Sequence, residues 1–394
     1  MNYDIIRLKK GKEESLRRFH PWVFSGAIAS MPPELEEGTI VTVLSYDGNV
    51  LGTGHYQKGS IAVRMLRFDD APIDSAFYSD RIAEAWNLRK AAGIINDRSD
   101  CYRLIHGEGD FLPGLIVDVY GATAVMQAHS PGIHLSRKII AESLVNLPGL
   151  GLKNIFYKSE TTLPFKAGLE PADGYLIGNF ETDVAKENGL LFHVDWLKGQ
   201  KTGFFIDQRD NRALLRQYSC GKDVLNMFCY TGGFSVYALK GGARKVVSVD
   251  SSAKAVSLTE RNISLNFPES APHTAIAMDA FKYLDDMADG EFDLIVLDPP
   301  AFAKHRSAIP NALRGYQKLN LKAFKKIRRG GIVFTFSCSQ AISKEQFRLA
   351  VLSAAVDSGR KVRILHQLTQ PADHPVNIYH PEGEYLKGLV LHID

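Results

Sequence analysis

The sequence predicts an α/β protein whose C-terminal half is a mostly parallel, doubly wound sheet, preceded by a small β meander and a mixed α+β module. Three observations predict it. From about residue 223, strand-like runs alternate with helical stretches: DVLNMFC, KVVSVD, TAIAMD, FDLIVLD, GIVFTFSC, then VRILHQL and LVLHI. That is the signature of βαβ units. Residues 39–67 hold TIVTVLS, VLGTGHY and IAVRMLR, separated by Asp47-Gly48-Asn49 and Lys58-Gly59-Ser60, which is the pattern of a meander. At 394 residues the chain also exceeds what one core usually supports, since ~150 residues per domain implies two or three domains.

Before the meander lies a basic segment with Arg7, Lys9, Lys10, Lys12, Arg17 and Arg18, then His20-Pro21-Trp22-Val23-Phe24. Basic residues interleaved with aromatics suit an RNA backbone and stacked bases. The commoner use of Trp22 and Phe24 is as core, and that is the expectation here. The second unit reads as a helix near Ala76–Ala92, strands around Leu115–Tyr120 and Ala122–Ala128, and a helix near Leu135–Val145. Its loop His106-Gly107-Glu108-Gly109-Asp110 alternates glycines with acids, which is turn chemistry and receives no catalytic role. Residues 159–175, rich in Pro, Gly, Ala and Ser, read as a connection. Asn188-Gly189, between Thr182–Lys186 and Leu190–Trp196, is the strongest hairpin signal in the chain.

Composition narrows the function classes. With 45% apolar and 23% charged residues the chain is ordinary for a globular protein. No run reaches the ~18 apolar residues of a membrane span, and no apolar signal segment follows Met1, so no membrane partner and a cytoplasmic location are expected. Cys101, Cys220, Cys229 and Cys338 form no C-x-x-C pair, so neither a metal site nor a disulfide framework is expected, and a functional cysteine would act alone as a thiolate. The net charge of +3 is too small to prove a polyanionic partner. Its distribution says more: residues 299–344 contain many Lys and Arg but no Asp or Glu. There, Leu313, Tyr316, Phe324 and Ile327 share one helical face and the basic side chains take the other. Lys304 and Arg306, in the loop before that helix, are the better phosphate candidates. Nothing in the sequence fixes the oligomeric state, which leaves a homodimer open.

Five landmarks recur at strand-to-loop junctions and should gather at the carboxyl edge of one parallel sheet: Thr231-Gly232-Gly233, Asp250, Asp279, Asp298-Pro299-Pro300 and Ser337-Cys338-Ser339. Asp250, closing the second strand, suits a ribose diol, and Asp279 an adenine amino group. Gly232-Gly233 does not fit the G-x-G-x-x-G turn that aims a helix at a pyrophosphate, which favours S-adenosylmethionine (SAM) over a nicotinamide dinucleotide. Asp298 is held extended by the two prolines behind it, Phe302 follows as a stacking candidate, and Cys338 ends the next strand at the corresponding height. If those strands are neighbours, carboxylate and thiol face one slot. The slot suits a pyrimidine whose carbon 6 takes a thiolate while ring nitrogen 3 meets a proton or hydrogen bond.

At these residues the chain resembles the bacterial 23S ribosomal RNA cytosine-5 methyltransferases that carry an N-terminal PUA domain. The resemblance spans nearly the whole length, through HPWVFSGAI (20–28), HGEGDFLPGLIVD (106–118), KTGFFIDQRDNR (201–212), NMFCYTGGFS (226–235), LDPPAF (297–302), FSCS (336–339) and ADHPVNIYHPEGEYLKG (372–388). It implies a β-barrel PUA domain over 1–72, a central α+β domain over 73–178, and a Rossmann-like class I methyltransferase domain over 179–394 that begins with the hairpin. It implies SAM as methyl donor and 23S ribosomal RNA as partner. Carried over by motif, Phe228, Gly232, Asp250, Asp279 and Asp298 line the SAM site, Gln208 and Arg209 border it, Cys338 is the nucleophile and Asp298 its partner at the base. Many RNA cytosine methyltransferases carry a second cysteine just after the Asp-Pro-Pro prolines. Here the stretch reads Pro300-Ala301-Phe302, so the residue that assists product release is unidentified.

Other readings stay open at this point. Asp-Pro-Pro-x-Phe also resembles the motif that polarises amino groups, which would direct the methyl group to an exocyclic amine or a guanine nitrogen. A nicotinamide oxidoreductase and a non-catalytic RNA-binding or ribosome-assembly factor belong to different classes.

Overall fold

The computed structural model describes residues 3–164, 169, 173–303 and 305–394. The chain divides into two compact units: Met1–Asn188, Val194–Ile206 and Ala372–Gly383 form the first, and Gly189–His193, Asp207–Pro371 and Glu384–Asp394 the second.

The first unit opens with a six-stranded sheet built from β1 (Asp4–Leu8), β2 (Trp22–Phe24), β3 (Ile28–Ser30), β4 (Ile40–Leu44), β5 (Val50–Tyr56) and β6 (Ile61–Arg67). Its order is β2-β6-β5-β4-β1-β3. The meander appears as expected at β4 to β6. The basic segment before it hides a strand: Ile6 and Leu8 of β1 are fully buried with Arg7 between them, an alternation that the surrounding charges mask in the sequence. The core expectation for the aromatic turn is corrected. Phe24 is 49% exposed. Trp22 is half-buried, with its indole N–H donating to Glu108 Oε1 at 2.9 Å.

A second sheet follows, β7 (Cys101–His106), β8 (Leu115–Tyr120), β9 (Thr123–Ala128), β10 (Asn154–Tyr157) and β11 (Gly174–Ile177), in the order β11-β10-β9-β8-β7. It packs with α2 (Ser75–Ala91), whose cap Asp74 accepts from the Phe77 amide at 3.0 Å; a short α1 (Glu14–Arg17) precedes it in the chain. The helix expected near Leu135–Val145 arrives as two, α3 (Pro131–Leu135) and α4 (Arg137–Asn146), because Ser130 and Pro131 start a separate turn. The acids of the His106–Asp110 loop have structural partners: Asp110 pairs with the fully buried Arg89 and accepts the His106 amide at 2.6 Å. Of the expected connection over 159–175, residues 165–168 and 170–172 lie outside the described residues. Asn188 (φ 51°) and Gly189 (φ 79°) are both left-handed, as a two-residue hairpin turn requires, between β12 (Val184–Glu187) and β13 (Leu190–His193).

The second unit is one seven-stranded sheet: β14 (Asp223–Met227), β15 (Lys245–Asp250), β16 (His273–Ala277), β17 (Leu294–Leu297), β18 (Gly331–Ser337), β19 (Val362–Leu368) and β20 (Lys387–Ile393), in the order β16-β15-β14-β17-β18-β20-β19. Every pair is parallel except those of β20, which runs antiparallel to β18 and β19. These seven strands occupy the stretches whose apolar runs predict them. The helices are α5 (Arg209–Tyr218), α6 (Gly233–Lys240), α7 (Ala253–Asn266), α8 (Ala280–Asp286), α9 (Ile309–Lys326) and α10 (Lys344–Ser358). Helix α9 buries Tyr316, Leu319, Ala323 and Phe324 against the core around Val333, Phe347 and Leu391, and leaves Arg314, Lys318 and Lys325 exposed. The chain lays β15 and β16 on one side of β14 and then β17 and β18 on the other, and the crevice at that switch in strand order is where an open sheet of this kind takes its ligand.

Candidate active site

At the tip of β14 the backbone takes up conformations that side chains normally avoid. Phe228 (φ 58°) and Tyr230 (φ 46°) are left-handed although neither is glycine, and Gly232 follows at 76°. Strain of this kind survives only where surrounding structure enforces it, and it concentrates at ligand sites. What enforces it here is Asp250, the last residue of β15, whose Oδ2 accepts the Tyr230 amide at 3.0 Å while Oδ1 accepts the Ser252 amide at 2.9 Å. A carboxylate accepts about four hydrogen bonds, so Asp250 keeps capacity for a diol after fixing the loop. Asp279, exposed two residues past β16, uses Oδ1 to cap α8 through the Lys282 amide at 3.0 Å. Gly233 opens α6 with room for Arg212: a Cβ there would stand 3.0 Å from Arg212 Cδ. Half-buried Phe228, two anchored carboxylates and a glycine turn without a pyrophosphate loop are a donor set that fits an adenosyl group carrying a ribose diol and an adenine amine.

The reacting end lies on the next two strands. Strands β17 and β18 are adjacent and parallel, with Leu297 opposite Thr335, so Asp298 and Cys338 leave the same edge. Cys338 Sγ stands 4.0 Å from the Pro299 carbonyl oxygen, which puts the thiol directly against the Asp-Pro-Pro turn. Asp298 Oδ1 accepts from Gln208 Nε2 at 3.1 Å, and Gln208 Oε1 accepts from Asn211 Nδ2 at 2.6 Å. That chain orients the carboxylate and ties Gln208 and Asn211 to the site. Both serines flanking Cys338 are pinned by one buried hydroxyl: Ser337 Oγ donates to Tyr316 Oη at 2.9 Å, and Tyr316 Oη lies 3.0 Å from Ser339 Oγ. Burial raises the Tyr316 hydroxyl above its ordinary value, so it stays protonated.

The sheet edge thus gathers Phe228, Gly232, Asp250, Asp279, Asp298 and Cys338, with Gln208 on Asp298 and Arg209 buried one residue further on, ion-paired to Asp210 at 3.4 Å. Phe302 is placed differently from the stacking expectation: its ring packs on Tyr316 (centroids 4.7 Å apart) and against Gly315, which commits one face to the core rim. Arg306 is exposed in a short helical turn before α9, and Lys304 lies outside the described residues. Two residues escaped the sequence reading. Tyr316 reads as ordinary core at helical spacing. Lys387 comes from β20, where Ser337 is its antiparallel partner, and its Nζ donates to the Ser339 and Ile342 carbonyls at 2.7 and 2.8 Å.

One cluster in the first unit has metal-like composition: the ligand atoms of His20, His380 and Glu382 lie within 4.8 Å of one another. His20 Nδ1 accepts the Trp22 amide at 3.2 Å, which leaves the ring proton on Nε2, the atom facing Glu382 at 3.9 Å. On His20, then, no lone pair faces Glu382 in this arrangement.

Comparison with known proteins agrees with this geometry. The profile of the S-adenosylmethionine-dependent methyltransferases matches residues 168–376, and a PUA-like domain matches residues 6–68. The chain belongs to the S-adenosylmethionine-dependent methyltransferase family. Ribosomal RNA large subunit methyltransferase I of Klebsiella pneumoniae (strain 342) is 40% identical over 393 residues, covering 98% of this chain and 97% of that protein. The enzyme of the same name from Escherichia coli O139:H28 is 39% identical, with 98% of each chain covered. Among solved structures, a methyltransferase crystallised with SAH, the demethylated product of SAM, superposes with a TM-score of 0.83 over 100% of both chains at 22% identity, a likeness of fold. SAM is therefore the methyl donor of this methyltransferase, and the nicotinamide reading is set aside. Among the described residues no helix is long and apolar enough to cross a membrane.

Proposed function

We propose that this methyltransferase modifies carbon 5 of a cytosine in large-subunit ribosomal RNA through a covalent bond to Cys338. The single observation that carries the chemistry is the placement of Cys338 Sγ 4.0 Å from the Pro299 carbonyl, on the strand beside the one that delivers Asp298. The substrate class is supported by full-length similarity to enzymes named for large-subunit ribosomal RNA. Carbon 5 of cytosine is a poor nucleophile. The Cys338 thiolate adds to carbon 6, forming the C–S bond and pushing the ring electrons toward carbon 5, while Asp298 meets ring nitrogen 3. Bound SAM supplies an electrophilic methyl group on its sulfonium. Carbon 5 takes that methyl, its proton then leaves to a base, and the C–S electrons return to sulfur as Cys338 departs. Asp250 and Asp279 are assigned to the ribose and the adenine, Phe228, Gly232, Gln208 and Arg209 to the rest of the cofactor pocket, and Phe302, Lys304 and Arg306 to the RNA side. The proposed division is an RNA-binding PUA-like domain over 1–72, a central α+β domain over 73–178 and a catalytic domain over 179–394, working in the cytoplasm where ribosomes are assembled.

RNA carrying 5-fluorocytosine, incubated with protein and SAM, should form an adduct stable to denaturation, because the fluorine cannot leave as a proton does. Cys338→Ala should abolish both the adduct and methyl transfer. Full methyl transfer by Cys338→Ala would refute the covalent route and move the target to an exocyclic amine or a guanine nitrogen.

A further inference from the structure

We propose that Lys387 is a positioning residue for the nucleophile, clamping the loop that carries Cys338 and supplying the cation that keeps its sulfur as a thiolate. This deepens, and rests on, the assignment of Cys338 given above. The first residue of β20 faces the last residue of β18 across an antiparallel pair, so Lys387 sits at the base of the Ser337-Cys338-Ser339 turn. Only 5% of it is exposed. Its ammonium donates to the carbonyls of Ser339, the residue after Cys338, and of Ile342. A buried ammonium is costly unless it is hydrogen-bonded, and these two carbonyls meet that need while tying the loop down.

The charge matters as much as the clamp. Desolvation lowers the Lys387 ammonium from 10.5 to about 8, opposed first by the electrostatic pull of Cys338 and then by Glu384, with Lys344 adding to the lowering. Electrostatic coupling between two titrating groups is mutual, so whatever the thiolate does to hold the proton on Lys387, Lys387 does to hold the thiol deprotonated. Lys344 and Glu384 pair with each other, which blunts their separate effects. Of the groups around the thiol, Tyr316 from α9 stays neutral, while the Asp298 carboxylate, leaving the neighbouring strand at the same edge, opposes the thiolate and is the charge that Lys387 must outweigh. A cation beside a cysteine is the ordinary physical device for producing a thiolate near neutral pH.

The test is iodoacetamide alkylation of the full-length protein from about pH 6 to 10, read peptide by peptide so that Cys338 is separated from the exposed Cys220. Wild-type Cys338 should reach half its limiting rate below about pH 8.5, where an ordinary thiol ionises. In Lys387→Met, which keeps the alkyl stem and loses the charge, the midpoint should rise by about one pH unit or more, a roughly tenfold smaller thiolate fraction at neutral pH. SAM affinity, measured by calorimetry, should be unchanged in that variant and reports that it is folded. An unshifted midpoint in a SAM-binding Lys387→Met overturns the proposal. So does a wild-type midpoint at or above about 8.5, a result available even if the variant fails to fold. Alkylation reads the thiol whatever its role, whereas adduct formation by Cys338→Ala sinks the nucleophile assignment alone, so the two failures are distinguishable.

Discussion

Replacing Tyr316 with Phe removes one oxygen atom and tests whether the cysteine turn depends on it. The ring should stay where it is, because its packing partners Phe302 (4.7 Å) and Phe347 (5.3 Å) touch carbon rather than the hydroxyl. What disappears are the contacts to Ser337 Oγ and Ser339 Oγ, at 2.9 and 3.0 Å, and the hydrogen bond from the Phe302 backbone. Each serine keeps another partner, since Ser337 Oγ accepts the Ser339 amide at 3.3 Å and Ser339 Oγ accepts the Ala303 amide at 3.2 Å. The serine oxygens keep their donors, but the buried Ser337 O–H loses its acceptor, so the change should cost about 2 kcal/mol or more. For a unit of this size that is a fall in melting temperature of roughly 4–8 °C in calorimetry. Because both serines flank Cys338, the rate of adduct formation with 5-fluorocytosine RNA should fall by about tenfold or more, the scale of a modest misplacement of a reacting atom. SAM affinity should stay within about twofold of wild type, since the hydroxyl contacts neither the β14 tip nor Asp250. Combining the change with Ser337→Ala should give a coupling energy of at least about 0.5 kcal/mol. An unchanged melting temperature together with strictly additive effects would refute the reasoning.

Two further outcomes follow from the same geometry. Gly232→Ala should weaken SAM binding at least about tenfold by calorimetry, because the residue sits at φ 76° and its Cβ would meet Thr259 Cγ2 at 2.6 Å, displacing the loop anchored by Asp250; unaltered affinity would separate this turn from the cofactor. His55, 2% exposed on β5, is lowered from 6.5 to about 4, first by burial and then by Arg64. The unfolded chain therefore binds the extra proton between those values, so the stabilisation from keeping His55 neutral is complete above pH 6.5 and is lost as pH falls toward 4, by up to about 3 kcal/mol. His55→Leu should show a smaller drop in melting temperature than wild type between pH 7 and about 4.5, and identical profiles would contradict the assignment.

Much of this architecture is legible without coordinates because its signals are local. An apolar run ending in Asp250 or Asp298 is a strand followed by a turn, and parallel βαβ connectivity then brings such ends to one edge. What was not legible depends on pairing or on partners distant in sequence. Strand β1 is masked because the exposed Ile5 breaks the alternation of apolar and polar residues and its inward Ile6 and Leu8 are too few to establish a period. The exposure of Phe24 could not be inferred, since an aromatic beside Trp22 fits a core equally well until the strand register is known. Gln208 lies 90 residues from Asp298 in the chain, and only the folded β17 edge makes them neighbours. Tyr316 carries the spacing of a core residue and is one; its hydroxyl has a second use that periodicity does not encode.

Lys387 shows where that reasoning stops for a structural cause. Residues that serve a parallel sheet are sought at the carboxyl ends of its strands, and Gly232, Asp250, Asp279, Asp298 and Cys338 are all expected there. Strand β20 runs the other way, so its amino end arrives at the edge where β17 and β18 finish. A lysine seven residues before the last residue thereby meets the turn after Ser337, some fifty positions earlier in sequence. The same reversal supplies a physical reason for an antiparallel strand in this position: a parallel one would present its carboxyl end, and with it a loop leading away, whereas β20 begins at the site and delivers its first side chain from a backbone already held by seven paired residues of β18. A cation fixed in that way loses little conformational freedom on binding the loop carbonyls, which is what a preorganised partner for a thiolate requires.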